Sequence, residues 1–174
     1  SSLVWGGYEF RAAFFTKSGN SIFFKAYNGT NGNEIWKTDG TEENTKLVKD
    51  IYIGKSGSIT DTPLFIDFND NFYLSANDGI HGQELWRSDG TENGTYLLKD
   101  IKPGIGSGIN QTNIFSNHYN VANYNYHAVL NNNLYFTADD GTDISIWKTD
   151  GTSNGTLKAI KIPNNATNVE PKIL

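Results

Sequence analysis

The sequence of 174 residues contains no cysteine and no methionine, and only 4 of its residues are proline. Without cysteine the chain forms no disulfide, offers no thiolate nucleophile and has no cysteine-ligated metal site. The absence of methionine, with Ser1 as the first residue, leads us to expect a mature or excised segment rather than a complete translation product.

Charge is also sparse, at 19% of residues, and the net charge is −5 with a pI near 5.1. No basic stripe interrupts this, so nucleic acid and anionic membrane are not expected partners. No apolar run approaches the roughly 18 residues of a membrane-spanning helix, so no membrane insertion is predicted. The abundance of Asn, Gly, Thr and Ser is typical of secreted bacterial surface proteins.

One sequence motif occurs in three variants: EIWKTDGT at residues 34–41, ELWRSDGT at 84–91 and SIWKTDGT at 145–152. A segment that recurs about every 50 residues is a supersecondary unit, and such units are stable only when they stack on each other. We therefore expect its recurrent residues to be structural. They are the tryptophans Trp36, Trp86 and Trp147, the aspartates Asp39, Asp89 and Asp150, and the glycines Gly40, Gly90 and Gly151.

Each copy extends into a unit of four short strands, predicted over about residues 13–51, 64–101 and 126–162. Alternation with period two in the second strand, as in Phe72, Leu74 and Ala76, indicates β structure rather than helix. Clusters of Asn, Asp and Gly between the apolar runs indicate tight turns. Four strands per unit predict an all-β fold of propeller blades, with a β-solenoid as the structural competitor.

Three units are fewer than the four to eight blades of a typical closed propeller. Either residues 1–174 form a single segment of a longer array, or several chains assemble to close the ring. We favour the segment, whose partners are then further propeller blades or another protein chain.

The repeated motif resembles the ELWxxDGT repeat family. The match includes residues 84–91, the following Gly94-Thr95 and the trailing residues 98–101 with Pro103-Gly104. The third copy departs from it, with Ser145 in the place of the glutamate. The resemblance implies a secreted, propeller-forming bacterial repeat protein, frequent in Bacteroidota and often exported by type IX secretion to the cell surface or the medium. It carries no catalytic residue with it.

The recurrent residues also have functional interpretations. The three tryptophans are candidates for a ring of sugar-stacking platforms, but packing between neighbouring blades is the favoured interpretation. The three Asp-Gly aspartates are candidate metal ligands. Each turn offers a single carboxylate, whereas Ca²⁺ takes six to eight oxygens, so hydrogen bonding within the turn is favoured.

The densest acidic cluster consists of Asp139, Asp140 and Asp143. It lacks the spacing of a calcium loop, so no cofactor is predicted, and Ca²⁺ bound by these three aspartates is the alternative. Glu34 and Glu84 are absent from the third copy, which suits a structural hydrogen bond better than general acid catalysis. His81 lies between Asp78 and Glu84 with no nucleophile marked out beside it, so catalysis is not predicted.

An insertion at residues 113–127 departs most from the repeat. It combines aromatic rings with amides, a mixture that glycan sites and protein-binding loops both use. The alternative is a long loop that packs its tyrosines on the propeller rim. The candidate ligand-binding residues are His118, Tyr119, Asn123, Tyr124 and Tyr126.

Three functions stay open. The preferred one is a non-catalytic extracellular propeller segment that binds or adheres to a glycan or a protein. The second is a structural spacer in a large surface adhesin. The third is the scaffold of a secreted enzyme whose active site lies outside this segment.

Overall fold

A computed structural model describes residues 12–109 and 127–161. Within these ranges the chain forms twelve β-strands and no helix. They are β1 Ala13–Ser18, β2 Ser21–Tyr27, β3 Asn33–Thr38, β4 Lys46–Lys49, β5 Phe65–Phe68, β6 Asn71–Asn77, β7 Gln83–Ser88, β8 Tyr96–Lys99, β9 His127–Leu130, β10 Asn133–Asp139, β11 Ile144–Thr149 and β12 Leu157–Lys161. No helix in the described part of the chain could therefore cross a membrane.

The strands form three separate four-stranded sheets, each with its strands in chain order. We call them unit 1 (β1–β4), unit 2 (β5–β8) and unit 3 (β9–β12). Every strand pair is antiparallel, and the register repeats: Trp36, Trp86 and Trp147 lie opposite Phe24, Leu74 and Phe136. The predictions of an all-β fold and of four strands in each unit are confirmed, and no closed sheet occurs among the described strands.

Tight turns join the first two strands of units 2 and 3. Asn69 and Asp70 have φ of 49° and 56°, and Asn131 and Asn132 repeat these values. Two consecutive residues at positive φ match the twist of a two-residue hairpin, and Asn and Asp tolerate this region better than other side chains. These polar pairs therefore fix the hairpin register.

The Asp-Gly-Thr turn joins the third and fourth strands of every unit. In unit 2, Asp89 Oδ1 accepts hydrogen bonds from the backbone nitrogen of Thr91 at 2.8 Å and from its hydroxyl at 2.7 Å. Gly90 has a φ of 86°, in the region that the Asp-Gly sequence predicts for a turn glycine. Asp39 and Asp150 make the same bonds to Thr41 and Thr152.

The first of two hydrophobic cores lies between units 1 and 2. Unit 1 contributes Phe23 and Ile35, while unit 2 contributes Phe72, Leu74 and Trp86. The rings of Phe23 and Phe72 stack with centroids 4.5 Å apart. Alternation along β6 sends Phe72 and Leu74 toward unit 1 and Tyr73 toward unit 3, so the sheet of unit 2 buries both of its faces.

The second core repeats this arrangement between units 2 and 3. Tyr73 and Leu85 of unit 2 pack against Leu134, Phe136 and Trp147 of unit 3. Trp86 and Trp147 are 6% and 7% exposed and fill equivalent places in the two cores, whereas Trp36 is half-buried. Burial of large indole rings between the sheets is therefore a main source of the stacking energy.

Two linkers tie the sheets together: linker 1 is residues 50–59 and linker 2 is residues 100–109. In linker 1, the Ile59 nitrogen donates to Asn33 O at 3.1 Å, and Ser58 O accepts from the Asn77 nitrogen at 3.1 Å. Linker 2 repeats both bonds, with Ile109 to Gln83 at 2.9 Å and Asp139 to Gly108 at 2.8 Å. Each linker therefore bridges the unit before it and the unit after it.

Candidate functional site

Two buried glutamates fold the linkers into fixed shapes. Glu84 is fully buried, and its carboxylate accepts hydrogen bonds from the backbone nitrogens of Ile101 at 2.8 Å, Lys102 at 3.3 Å and Gly108 at 2.7 Å. The two ends of linker 2 are thus held by a single side chain. Such an arrangement satisfies backbone donors that a buried loop would otherwise leave unpaired.

Glu34 holds linker 1 in the same way. It accepts from the nitrogens of Ile51 at 3.1 Å, Tyr52 at 3.3 Å and Ser58 at 2.9 Å, and also from the Ser58 hydroxyl. We call each glutamate with its linker donors a linker clamp. Both carboxylates are fully buried beneath their linkers, and their oxygens are occupied by these donors.

Burial raises the pKa of Glu34 and of Glu84 to about 7, although the hydrogen bonds from the linkers act in the opposite direction. Desolvation disfavours the ionised carboxylate, while the N–H donors favour it. Both clamps therefore titrate near neutral pH, inside the fold.

Close backbone packing completes each clamp. A Cβ added to Gly82 would lie 2.3 Å from the carbonyl oxygen of Gly106, and one added to Gly32 would lie 2.5 Å from the carbonyl of Ser56. Both glycines also have positive φ. Only glycine fits where the linker crosses the turn between the second and third strands.

We call the end of the molecule where the linkers meet these turns the linker end. The β6–β7 turn lies in its middle, because the Tyr52 ring of linker 1 lies against Gly79 and linker 2 lies against Gly82 at Ile105 and Gly106. The linker end therefore joins the β6–β7 turn to both linkers in one surface.

Three isoleucines project from the linker end into solvent. Ile53 of linker 1 is 85% exposed, Ile80 of the β6–β7 turn is 65% exposed and Ile105 of linker 2 is 88% exposed. These are the highest exposures among the large hydrophobic side chains of the described residues. We call them the isoleucine patch. Three strongly exposed apolar side chains at one end of the fold make that end a candidate interaction surface.

His81 and Asp78 form an ion pair at the edge of this patch, with Nδ1 and Oδ2 2.7 Å apart. This hydrogen bond raises the pKa of His81. Partial burial acts to raise the pKa of Asp78, but the hydrogen bonds from His81 and Ile80 outweigh it and lower the pKa. Asp78 also accepts hydrogen bonds from the backbone nitrogens of its own turn, so the pair stabilises the conformation of that turn. Glu84 does not take part in the pair, because its carboxylate binds linker 2.

Unit 3 lacks the clamp. Ser145 takes the place of the glutamate, and by strand register Lys161 takes the place of Asp50 and Asp100. Phe136 lies 62 residues after Leu74, but Trp147 lies only 61 after Trp86, so the β10–β11 turn is one residue shorter. The spacing from Trp86 to Trp147 is 11 residues longer than that from Trp36 to Trp86. This difference combines a longer connection between units 2 and 3 with a shorter β10–β11 turn.

Asp139, Asp140 and Asp143, the acidic cluster named above as a candidate metal site, each form an ion pair with a lysine. Asp139 contacts Lys102 at 2.8 Å, Asp140 contacts Lys158 at 2.6 Å, and Asp143 contacts Lys158 at 2.8 Å and Lys161 at 3.3 Å. The hydrogen bonds to Lys158 hold the pKa of Asp140 and Asp143 well below the usual range. No group of three metal-ligating side chains occurs within residues 12–109 and 127–161.

The turn aspartates Asp39, Asp89 and Asp150 lie at the opposite end of the strands from the linker end. The hydrogen bonds from the neighbouring threonine lower the pKa of each one. Their carboxylates are exposed but are engaged within their own turns.

The ligand-binding candidates of the insertion, His118, Tyr119, Asn123, Tyr124 and Tyr126, lie outside the described residues. The described chain reaches Ile109 at the linker end and resumes at His127, where β9 begins. Burial lowers the pKa of His127.

Sequence reasoning favoured a structural hydrogen bond for Glu34 and Glu84, as the clamps show, but it missed their linker partners and the isoleucine patch. A signal was present, because both linkers read Asp-Ile, then a glycine at position 54 or 104, then an isoleucine at 59 or 109. Matching ten-residue linkers between matching units indicate one backbone path, held by one repeated contact.

Comparison of the chain with family models, with curated proteins and with solved structures finds no match in any of the three.

Proposed function

We propose that the three sheets are consecutive blades of a β-propeller in a secreted or cell-surface bacterial protein of the ELWxxDGT type. Sheets that stack through equivalent cores, with one Trp in each core, support this arrangement. The repeated crossing of the linkers from one sheet to the next supports it as well. The proposed role of the assembly is non-catalytic binding.

Further blades or another protein chain cover the outward face of unit 3 in this proposal. Tyr135 and Ile146 occupy the positions that Tyr73 and Leu85 occupy at the core between units 2 and 3. Tyr135 and Ile146 are only half-buried, and Ile160 beside them is 56% exposed. This face of unit 3 therefore carries apolar residues like those of a buried face, but no described sheet lies against it.

The binding surface that we propose is the linker end, and the isoleucine patch is the observation that carries the proposal. The clamps hold both linkers, so Ile53 and Ile105 are presented with little conformational freedom left to lose. Rigid presentation of apolar side chains lowers the entropic cost of binding.

A protein partner fits this surface better than a glycan. Stacking on sugars uses aromatic faces, whereas the exposed side chains of the patch are aliphatic, and the Tyr52 ring lies against Gly79. Aliphatic side chains gain binding energy by burial against apolar protein surface. Glycan binding remains a proposal for the aromatic and amide residues at 113–127.

Selection of a phage-displayed random peptide library on the immobilised chain tests the proposal, with a glycan array probed in parallel. We expect the selected peptides to be rich in apolar residues. They should bind the wild-type chain and lose binding to the triple variant Ile53→Ser, Ile80→Ser, Ile105→Ser.

The matched control is Leu157→Ser, which removes an exposed apolar side chain at the opposite end of the strands. Peptides that bind the triple variant as well as the wild type would contradict the proposed surface. Binding to glycans without peptide binding would replace the protein partner by a sugar.

A further inference from the structure

The sequence contains four Asn-Gly pairs, Asn28-Gly29, Asn31-Gly32, Asn93-Gly94 and Asn154-Gly155. In this dipeptide the glycine has no side chain to hinder attack of its backbone nitrogen on the asparagine amide. The structure divides the four pairs into two classes, and the division does not depend on the binding function proposed above.

The first two pairs have immobilised amides. Asn28 Oδ1 accepts from the nitrogens of Thr30 and Asn31 at 2.9 Å each, and Asn28 Nδ2 donates to Asn31 Oδ1 at 2.7 Å. Asn31 Nδ2 in turn donates to Asp50 at 2.7 Å. Both ends of each amide are occupied, so neither side chain is free to turn its carbonyl carbon toward the following glycine.

The other two pairs have free amides. Asn93 and Asn154 are exposed, and neither side chain makes a hydrogen bond to any described residue. The nitrogens of Gly94 and Gly155 donate to the hydroxyls of Thr91 and Thr152, each at 2.9 Å. These bonds lie at the surface, where water can replace the hydroxyl.

We propose that Asn93 and Asn154 are sites of spontaneous deamidation. The glycine nitrogen forms a bond to the asparagine Cγ, the bond from Cγ to the amide nitrogen breaks, and ammonia leaves with the proton from the backbone nitrogen. Solvent water then opens the resulting five-membered imide at either carbonyl. The products are aspartate, with the original backbone, and isoaspartate, whose backbone is longer by one methylene group.

Isoaspartate at these positions would loosen the contacts between units. Lys49 of unit 1 donates to the carbonyls of Glu92 at 3.3 Å and Thr95 at 2.6 Å, which flank the reacting pair. Lys99 of unit 2 likewise contacts Ser153 O at 3.5 Å, next to Asn154. An added methylene changes the separation of the two carbonyls that Lys49 binds.

The glycine that follows each reacting asparagine lies directly against the turn aspartate. A Cβ added to Gly94 would lie 2.0 Å from the Asp89 carboxylate, and one added to Gly155 would lie 2.0 Å from Asp150. A carboxylate alone is tolerated, because the equivalent turn of unit 1 carries Glu43 where unit 2 carries Asn93. The loosening therefore comes from isoaspartate and not from the new charge.

Incubation of the native chain at mildly alkaline pH, followed by peptide mapping with mass spectrometry and enzymatic methylation of isoaspartate, tests the proposal. We expect deamidation at Asn93 and Asn154 to proceed several-fold faster than at Asn28 and Asn31, which are internal controls in the same digest. Equal or faster loss of ammonia at Asn28 and Asn31 would overturn the assignment, as would unchanged Asn93 and Asn154.

The consequence is tested separately with the double variant Asn93→Asp, Asn154→Asp, which has the charge without the longer backbone. We expect the variant to melt close to the fresh protein, and the isoaspartate fraction of aged protein to melt at a lower temperature than either. An isoaspartate fraction as stable as the variant would contradict the proposed loosening.

Discussion

The carboxylate of Glu84 lies 2.7 Å from the backbone nitrogen of Gly108, 24 residues further along the chain. The same oxygen accepts from Lys102, so a single buried side chain fixes the start and the end of linker 2. This contact determines where the linker turns and where Ile105 is presented.

Glu84→Ala should destabilise the chain by about 3 kcal/mol or more. The change leaves the nitrogens of Ile101, Lys102 and Gly108 without their acceptor, at about 1–3 kcal/mol for each buried donor. Urea unfolding measures the loss, with the exposed Glu43→Ala as the control. A variant with the stability of the wild type would show that the clamp is dispensable.

Stability should fall as the pH rises from about 5 to about 8. The pKa of each clamp glutamate increases from 4.5 to about 7 on folding, so the folded state binds more protons than the unfolded state in this range. His81, whose pKa is also raised, acts in the same direction, whereas His127, whose pKa is lowered by burial, acts in the opposite direction and is outweighed by the two glutamates and His81. Unfolding free energies measured across this range test the sign.

Glu84→Gln removes one of the titrating groups, so it should flatten this pH dependence even where it lowers the stability at every pH. An unchanged slope in that variant would show that Glu84 does not titrate in this range. A wild-type stability that rises with pH would contradict the raised pKa values themselves.

Trp86→Ala should cost about 3–5 kcal/mol, the usual result of emptying a buried aromatic site. Trp86 is 6% exposed in the core between units 1 and 2. Trp36 holds the same strand position but is half-buried, so Trp36→Ala should cost clearly less. Equal losses of stability in thermal denaturation of the two variants would show that burial in the core between units 1 and 2 does not increase the contribution of Trp86.

Gly82→Ala should destabilise more than Gly104→Ala. Both glycines have positive φ, 70° and 96°, so both variants carry the backbone strain of roughly 1 kcal/mol or more. Only Gly82 also meets the backbone of linker 2, whereas nothing lies within 4 Å of a Cβ at Gly104. Similar melting temperatures for the two variants would remove the argument for close linker packing.

Much of the fold could be predicted because its signals are local. The alternation of Phe72, Leu74 and Ala76 predicted a strand where β6 lies, and the polar residues Asn69 and Asp70 predicted its hairpin. Strand periodicity and turn chemistry depend on neighbours in the sequence, so three copies of one pattern reinforce each other.

The site could not be predicted in the same way because its contacts are long-range. Glu84 looked like a structural residue, but nothing near it in the sequence showed that it would bind linker 2. Likewise, Asp143 lies in an acidic run, and the lysines that neutralise it are known only once β12 pairs with β11. The exposure of Ile80 depends on two linkers that pass on either side of its turn.

We propose that these units are propeller blades whose outward faces are covered in the native setting. Tyr135 and Ile146 present an apolar face whose equivalents in unit 2, Tyr73 and Leu85, are buried, and the exposed Ile160 pairs with Ile146 on this face. Sedimentation of residues 1–174 alone, at about tens of micromolar, tests this proposal, because exposed apolar surface drives association at such concentrations. We predict self-association or aggregation; a stable, soluble monomer would contradict the proposal.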